Sequence, residues 1–450
     1  VNDSAAVDGL SEAERHPLLS EDGRTLLKAL REHPQAPRFN ALCGDRLDRN
    51  GLAAVAAFDQ FVQEQPPRWR PGTLPAWLPG WLARMLPRVP AWRELPTGVA
   101  LQQLPSFDRA DLADDITRHV PVDLPLDRLV VHQTFGSTGH RLTLPWTPEA
   151  CAMYLPLLRR ALALVDVGLP ALPGRVAVLL ACWQRQTVVV ASVASYLGEA
   201  GFLKLNLHPD GWRDPADRSA YLRWANPYLI TGDPLSFHEL LQLAPPIRPA
   251  ALVSSSMSLS PALAEALRNQ FGCPVIDLYA CNESGPIAAR DACSGGPWTL
   301  LQPGLYAEVL GTDDRPLVAG EWGELTLTGG FDPYLPLLRY RTGDQAQLAW
   351  RGDTPMLQAL EGRAPVLFED ASGRLVNNID VSVALKPLPL RRFSLRQGAD
   401  RGLQLALDQL ELAQAASRLL EGVFGAVPIR VSRLEGDAKV IQYGRDQNTA

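Results

Sequence analysis

The sequence predicts an α/β protein. A large N-terminal domain with doubly wound, mostly parallel sheets carries a small β subdomain, and a small α+β C-terminal domain follows. Three observations point there. Between 151 and 290, apolar strand-like runs alternate with helix-like runs, the pattern of βα units whose strands are buried on both faces. From 300 to 358 the chain reads as strands and turns. After Leu360-Glu361-Gly362-Arg363-Ala364-Pro365 the texture changes to short β pairs and one helix over 409–424. The expected divisions are a helical N-terminal extension at 1–80, the large domain at 81–360 and the small domain at 361–450.

Residues 1–65 read as helical. Ser20 or Asp22 caps a helix bearing Leu26, Leu27 and Leu30, and an amphipathic run from Leu52 to Val62 follows. No chemistry stands out there, so packing or docking is the reading. Trp69, Trp77, Trp81 and Trp92 lie among closely spaced prolines at 66–98. They read as apolar anchors on the main domain, with a membrane or partner contact as the alternative. Leu104–Leu112 reads as a turn capping a short helix.

In the alternating region the expected helices are Ala152–Val165, Val188–Leu197 (rich in small residues), Pro215–Ala225, Leu235–Leu243 and Pro261–Gln270. The expected strands are Arg175–Leu180, Phe202–Leu207, Tyr228–Ile230, Ala250–Val253 and Val275–Tyr279. Ligands of such sheets gather at the carboxyl ends of the strands. One end runs into Ser254-Ser255-Ser256-Met257, where small residues let a flat ring approach the backbone. Another runs into Tyr279-Ala280-Cys281-Asn282-Glu283-Ser284-Gly285-Pro286. There Glu283 is either half of a structural salt bridge or a ligand for Mg²⁺.

Two more stretches carry chemistry. Thr134-Phe135-Gly136-Ser137-Thr138-Gly139 follows a strand-like run. Its hydroxyls and backbone N–H groups suit an anion, although the Walker spacing is absent and an ordinary turn is the alternative. In Gly323–Asp344, the alternating Glu324–Thr328 gives way to Pro333 and Pro336 and then to Arg339-Tyr340-Arg341-Thr342-Gly343-Asp344. That polar run reads as a salt-bridged β-turn or as part of a site.

The chain of 450 residues is long enough for two or three domains, and its net charge of −6 disfavours bulk nucleic-acid binding. Six cysteines include no CxxC pair, which fits a reduced protein. The polar, acidic first residues read as neither signal nor transit peptide, and no apolar run of about 18 residues is present. The expectation is a cytoplasmic protein that engages no membrane.

The Thr134–Gly139 loop, the Tyr279–Pro286 segment and GELTLT…PLLRYRTGD, in this order, resemble the adenylate-forming superfamily of acyl-CoA synthetases. The likeness spans about 82–445 and is strongest to the phenylacetate-CoA ligase branch and its capsule-protein and coenzyme F390 synthetase-like relatives. The resemblance implies the adenylate-forming fold and an AMP-forming acid–thiol ligase. ATP and Mg²⁺ would be used, with CoA or phosphopantetheine as co-substrate. Thr134, Gly136, Ser137, Thr138 and Gly139 would hold the pyrophosphate leaving group. Ser255, Ser256 and Met257 would flank the adenine or acyl pocket, with Tyr279 and Asn282 beside the nucleotide. Asp344 would accept from the ribose hydroxyls, Arg363 would sit near ribose or phosphate, and Glu283 would hold Mg²⁺. Glu283, Arg363 and Lys439 would carry the chemistry. Trp183, Ala280, Gly285 and Pro286 would line the pocket of a small aromatic acid; a core tryptophan is the other reading of Trp183.

The chain departs from the pattern in places. Phe135 replaces a small hydroxyl residue, Pro365 replaces a hinge aspartate, and Asp437 stands where the family has lysine. Lys439 is the nearby substitute. Cys293 is without the metal-binding companions of some relatives, so no zinc is expected. An acyl carrier protein as acceptor and a homodimer are also implied. An amine or protein acceptor, or a nucleotide-binding relative without turnover, are the other readings.

Overall fold

The computed structural model describes residues 9–135, 141–184, 187–361, 366–385, 387–388, 390, 393–407, 409–434 and 443–445. The chain forms two compact units, one of 1–132 and 144–362, the other of 133–143 and 363–450.

The first unit opens with helices set by their caps. α1 (Glu12–Arg15) and α2 (Glu21–Glu32) start at Ser11 and Ser20, whose hydroxyls accept from the N–H groups of Glu14 and Gly23. Ser20, rather than Asp22, is thus the cap of the second. Asp48 caps α3 (Arg49–Glu64). The Pro/Trp stretch contains α4 (Leu78–Met85). Trp69, Trp81 and Trp92 are buried, and the rings of Trp77, Trp81 and Trp92 follow one another at 6.4 and 6.3 Å. They are core anchors, as their apolar bulk leads one to expect. α5 (Arg109–Asp114) begins on a capping box between Asp108 and Asp111. Next in the chain are the two-stranded sheet of β1 (Val130–Phe135) and β2 (Arg141–Trp146), whose residues 133–143 count with the second unit, and then α6 (Pro148–Ala152) and α7 (Tyr154–Ala163) of the first.

From there the chain lays down β3 (Val176–Cys182), β4 (Val190–Ala194), β5 (Ala200–Asn206), α8 (Asp217–Ala225), β6 (Leu229–Gly232), α9 (Pro234–Leu243), β7 (Ala251–Ser255), α10 (Pro261–Phe271) and β8 (Val275–Cys281). β9 (Gly285–Asp291), β10 (Trp298–Leu300), β11 (Leu305–Leu310), β12 (Gly323–Gly329), β13 (Leu337–Arg351) and β14 (Thr354–Glu361) follow. All join one 12-stranded sheet in the order β11-β12-β13-β14-β10-β9-β8-β7-β6-β3-β5-β4. β5, β3, β6, β7 and β8 run parallel. Past β8 every pairing is antiparallel. The β subdomain expected at 300–358 is therefore a continuation of the same sheet.

The parallel strands are apolar on both sides because both sides are covered. Ile230, Leu252 and Val275 face a core with Leu27 and Leu30 of α2, Phe237 and Leu240 of α9 and Leu267 of α10. Leu229, Val253 and Ile276 face the opposite core, with Val62 of α3 and Leu157, Ala161 and Leu162 of α7. This is the doubly wound arrangement.

The helix expected at Val188–Leu197 is instead β4 followed by a short 3₁₀ turn at Ser195–Leu197. Val188-Val189-Val190 resists helix through its β-branched stiffness, and β4 pairs antiparallel with β5 at the sheet edge.

The second unit contains β15 (Leu367–Glu369), β16 (Leu375–Asn377), α11 (Asn378–Leu385), β17 (Phe393–Gln397), β18 (Leu403–Leu407), α12 (Ala413–Phe424), β19 (Ile429–Arg433) and β20 (Tyr443–Arg445). Its four-stranded sheet has the order β19-β18-β17-β20. Leu395, Leu405, Leu420 and Phe424 are among its fully buried residues. This is the small α+β domain that the change of texture announces.

Candidate active site

The parallel half of the sheet ends at β8, and the candidate residues lie around that end. β7 delivers Ser255, with Ser256 and Met257 in the loop beyond it. Ser256 holds φ of 72°, the left-handed region that non-glycine residues seldom occupy, so the chain turns sharply there. β7 and β8 are neighbours with Ser255 opposite Leu278, which brings these small residues beside Tyr279.

β8 turns into β9 through Asn282, Glu283 and Ser284, with Cys281 opposite Gly285. Gln302 fixes this turn by donating from Nε2 to the carbonyls of Ser284 and Pro286, both at 2.7 Å. Gly285 has φ of 70°, and a Cβ there would lie 2.8 Å from the Phe331 ring. Both facts require glycine. Tyr154 and Trp146 pack on the same Phe331 ring, so an aromatic cluster backs Gly285.

The polar run Arg339–Asp344 supplies the rest. It lies within the 15-residue strand β13, not in a β-turn. Between the pairs Thr326↔Arg341 and Glu324↔Gln345 the ladder slips, so β13 bulges out of register at Thr342-Gly343-Asp344. Side chains replace the lost ladder bonds. Gly343 N–H donates to Glu324 Oε1 (2.9 Å), Thr342 Oγ1 donates to the Leu325 carbonyl (2.9 Å), and Asp344 N–H donates to Thr342 Oγ1 (3.1 Å).

Both arginines of the run are structural. Arg339 is 1% exposed. It pairs with Glu308 at 3.0 Å and donates to the carbonyls of Leu104 (2.6 Å) and Asp314 (2.8 Å). Arg341 pairs with Glu324 and Asp314. The salt-bridged reading of the sequence holds for these two residues. Tyr340 and Asp344, on either side of the start of the bulge, both meet the β8 end. Tyr279 Oη donates to Asp344 Oδ2 at 2.7 Å, and the Tyr340 phenol lies close enough to Glu283 to feel its charge.

Glu283 is 4% exposed and forms an ion pair with Arg109, the first residue of α5. The α5 segment reaches it because Phe107 bridges to Tyr340, with Arg341 N–H donating to the Phe107 carbonyl at 2.8 Å. Burial, and then the charge of Asp344, push the Tyr279 phenol well above its ordinary range. Burial and the charge of Glu283 do the same to the Tyr340 phenol and the Cys281 thiol. Near neutral pH the Tyr279 and Tyr340 phenols and the Cys281 thiol are therefore protonated.

As the side chains stand, the Arg109 guanidinium lies against Glu283 Oε1. Among the described residues, no three His, Cys, Asp or Glu side chains converge as a metal set. Glu283 thus makes the salt bridge that is one of the two readings its sequence context offers.

The sheet brings Ser255, Ser256, Met257, Tyr279, Ala280, Asn282, Glu283, Gly285, Pro286 and Asp344 to the β7–β9 and β13 region. Trp183 is at the exit of β3, its ring 5.0 Å from that of His208 and partly buried against one core. Thr134 lies in β1. Gly136, Ser137, Thr138, Gly139, Arg363 and Lys439, with Pro365 and Asp437, lie outside the described residues. Arg109 and Tyr340 were not read as site residues from the sequence. Their signal was present, a charged residue just inside a capped turn and an aromatic inside the polar run, but their partners are far away in the chain.

No protein-family profile matches the sequence, and no curated protein matches it. Solved structures do. A crystal structure of 2-hydroxyisobutyryl-CoA ligase, in complex with 2-HIB-AMP and CoA in the thioesterification state, superposes with a TM-score of 0.52 at 15% identity, covering 89% of this chain and 90% of that one. The same ligase in its postadenylation state gives 0.48 at 15% identity over 89% and 90%. An anthranilate CoA ligase with anthranoyl-AMP gives 0.37 at 15% identity over 73% and 68%. The first of these shows that this chain shares the α/β fold of an acyl-CoA ligase; the other two add nothing to that conclusion.

Proposed function

We propose that the protein is an AMP-forming acid–thiol ligase. In this reading a carboxylate oxygen attacks the α-phosphorus of ATP, the bond to the β-phosphate oxygen breaks, and pyrophosphate leaves. A thiolate then attacks the acyl carbonyl and AMP leaves with the bonding electrons. The observation that carries the reading is the Tyr279–Asp344 pair at the carboxyl end of the parallel strands. It offers a flat phenol for a base and an acceptor carboxylate for a ribose diol, at the place where such sheets bind ligands.

The other roles follow from the same reading. Ser255, Ser256 and Met257 flank the nucleotide or acyl group, and Asn282 borders it. Ala280, Gly285, Pro286 and Trp183 line the acid pocket. By the resemblance alone, Thr134, Gly136, Ser137, Thr138 and Gly139 are assigned to pyrophosphate and Arg363 and Lys439 to the phosphate chemistry. Magnesium arrives as the counter-ion of ATP. The acid is small and aromatic, the acceptor is CoA or the phosphopantetheine of a carrier protein, and the setting is cytoplasmic, with a homodimer in keeping with the resemblance. The aromatic cluster behind Gly285 supports an aryl acid. Asp437 in place of lysine favours a second reading, a nucleotide-binding relative without turnover.

The test is acid-dependent pyrophosphate release with ATP and Mg²⁺. Benzoic, hydroxybenzoic, aminobenzoic, phenylacetic and short aliphatic acids are compared, each with and without CoA. Release with an aryl acid is expected, stimulated by the thiol. Silence across the panel with ATP still bound would select the second reading.

A further inference from the structure

The environment of Glu283 leads to a conclusion about how the site handles cations. The carboxylate is 4% exposed, and the Arg109 side chain that pairs with it is 11% exposed. Tyr340, 2% exposed, lies beside the same carboxylate and feels its charge. The arginine is not there by a chance side-chain rotamer. The capping box of Asp108 and Asp111 fixes the start of α5, and Phe107 is hydrogen-bonded to β13 on both sides of Tyr340. Arg339 in turn holds the Leu104 carbonyl at 2.6 Å, which pins the segment leading into α5. Three anchors therefore deliver one cation to one buried carboxylate.

A divalent ion bound by the same carboxylate would have to shed water and approach a guanidinium. Mg²⁺ dehydrates reluctantly and takes one or two carboxylates with phosphate oxygens and waters. Moving Arg109 aside would leave the buried Glu283 carboxylate without this cation. We infer that Arg109 is the resident counter-ion of Glu283 and excludes a divalent metal ion from it. Glu283 is then a positioning residue that holds the Arg109 guanidinium at the turn from β8 into β9. The inference rests on the ligase reading for its chemical meaning, since that reading puts MgATP at this place. The pairing itself can be tested without turnover.

The test is Mn²⁺ binding to the full chain, read by the electron paramagnetic resonance signal of free Mn²⁺, with neither nucleotide nor acid present. Four proteins are compared with the wild type: Arg109→Gln, Arg109→Lys, Glu283→Gln and the double variant Arg109→Gln/Glu283→Gln. The wild type is expected to behave like Glu283→Gln, with no site that depends on this carboxylate. Arg109→Gln is expected to gain one site at least about tenfold tighter than any in the wild type. The double variant should lose that site, and Arg109→Lys should not have it. A wild-type site abolished by Glu283→Gln would overturn the inference, and this comparison does not need Arg109→Gln to fold. A folded Arg109→Gln, judged by circular dichroism, that gains no Mn²⁺ would also overturn it. Neither result depends on whether pyrophosphate is released, so the ligase reading and this inference can fail separately.

Discussion

Tyr279 and Asp344 stand 65 positions apart in the chain and are joined by a hydrogen bond of 2.7 Å. One comes from the last parallel strand and the other from a bulge in the antiparallel half of the sheet. In the proposed reaction Asp344 anchors the ribose, so Asp344→Asn should raise the KM for ATP about ten- to a hundredfold. That corresponds to the about 1.5–3 kcal/mol of a hydrogen bond to a charged acceptor. The melting temperature should move little. Initial rates of pyrophosphate release against ATP concentration check it; an unchanged KM would remove Asp344 from the nucleotide site.

Gly285 should not tolerate a side chain. Alanine there meets both a left-handed φ of 70° and the Phe331 ring at 2.8 Å. Gly285→Ala is expected to cost about 2–4 kcal/mol from strain and overpacking together. Adding Phe331→Leu should recover only the packing part. Urea denaturation of the single and double variants separates the two contributions.

The two arginines of the polar run should differ. Arg339, 1% exposed, has its charge met by Glu308 and by backbone carbonyls. Arg339→Met strands Glu308 and should cost about 3–5 kcal/mol. Arg341 is partly exposed at 24%, and Arg341→Met should cost about 1 kcal/mol. Equal losses in thermal unfolding would contradict this assignment.

Asp332 gives the stability a pH dependence. Burial pushes its carboxyl up to about 7, and Oδ2 has no hydrogen-bond partner. The folded state therefore holds this proton more tightly than the unfolded chain, whose aspartate titrates near ~3.9. The contribution is fully present below about pH 4 and is lost as pH rises through about 7. Asp332→Asn should flatten the fall in stability between pH 4 and 7 and be the more stable protein at pH 8, by on the order of 2–4 kcal/mol. Melting temperatures of both proteins across that range test the sign.

Much of the fold is legible in the sequence because burial on both faces leaves unbroken apolar runs, as in Val275–Leu278 and Leu252–Val253. Val188–Leu197 misleads because alanine and serine suit helices, whereas the valines decide in favour of a sheet edge. Tyr279 and Glu283 stand out locally as polar residues just where an apolar strand ends, and Asp344 as the last residue of a dense polar run. Arg109 does not, because its meaning lies in a carboxylate 174 positions away. Nor does the role of Arg339, whose partners Leu104 and Glu308 are brought to it only by the folded sheet.

The bulge at Thr342-Gly343-Asp344 has a consequence for how such a protein can change. The ladder is paired normally at Arg341 and again at Gln345, and Glu324 and Thr342 satisfy the backbone groups between. The sheet thus contains a short loop spliced into the middle of a strand. Its length and composition can drift without a register slip spreading to either neighbour, since both flanks are locked independently. The reach of the carboxylate at its end is then a dimension open to selection, adjustable by small insertions while the architecture around it stays fixed.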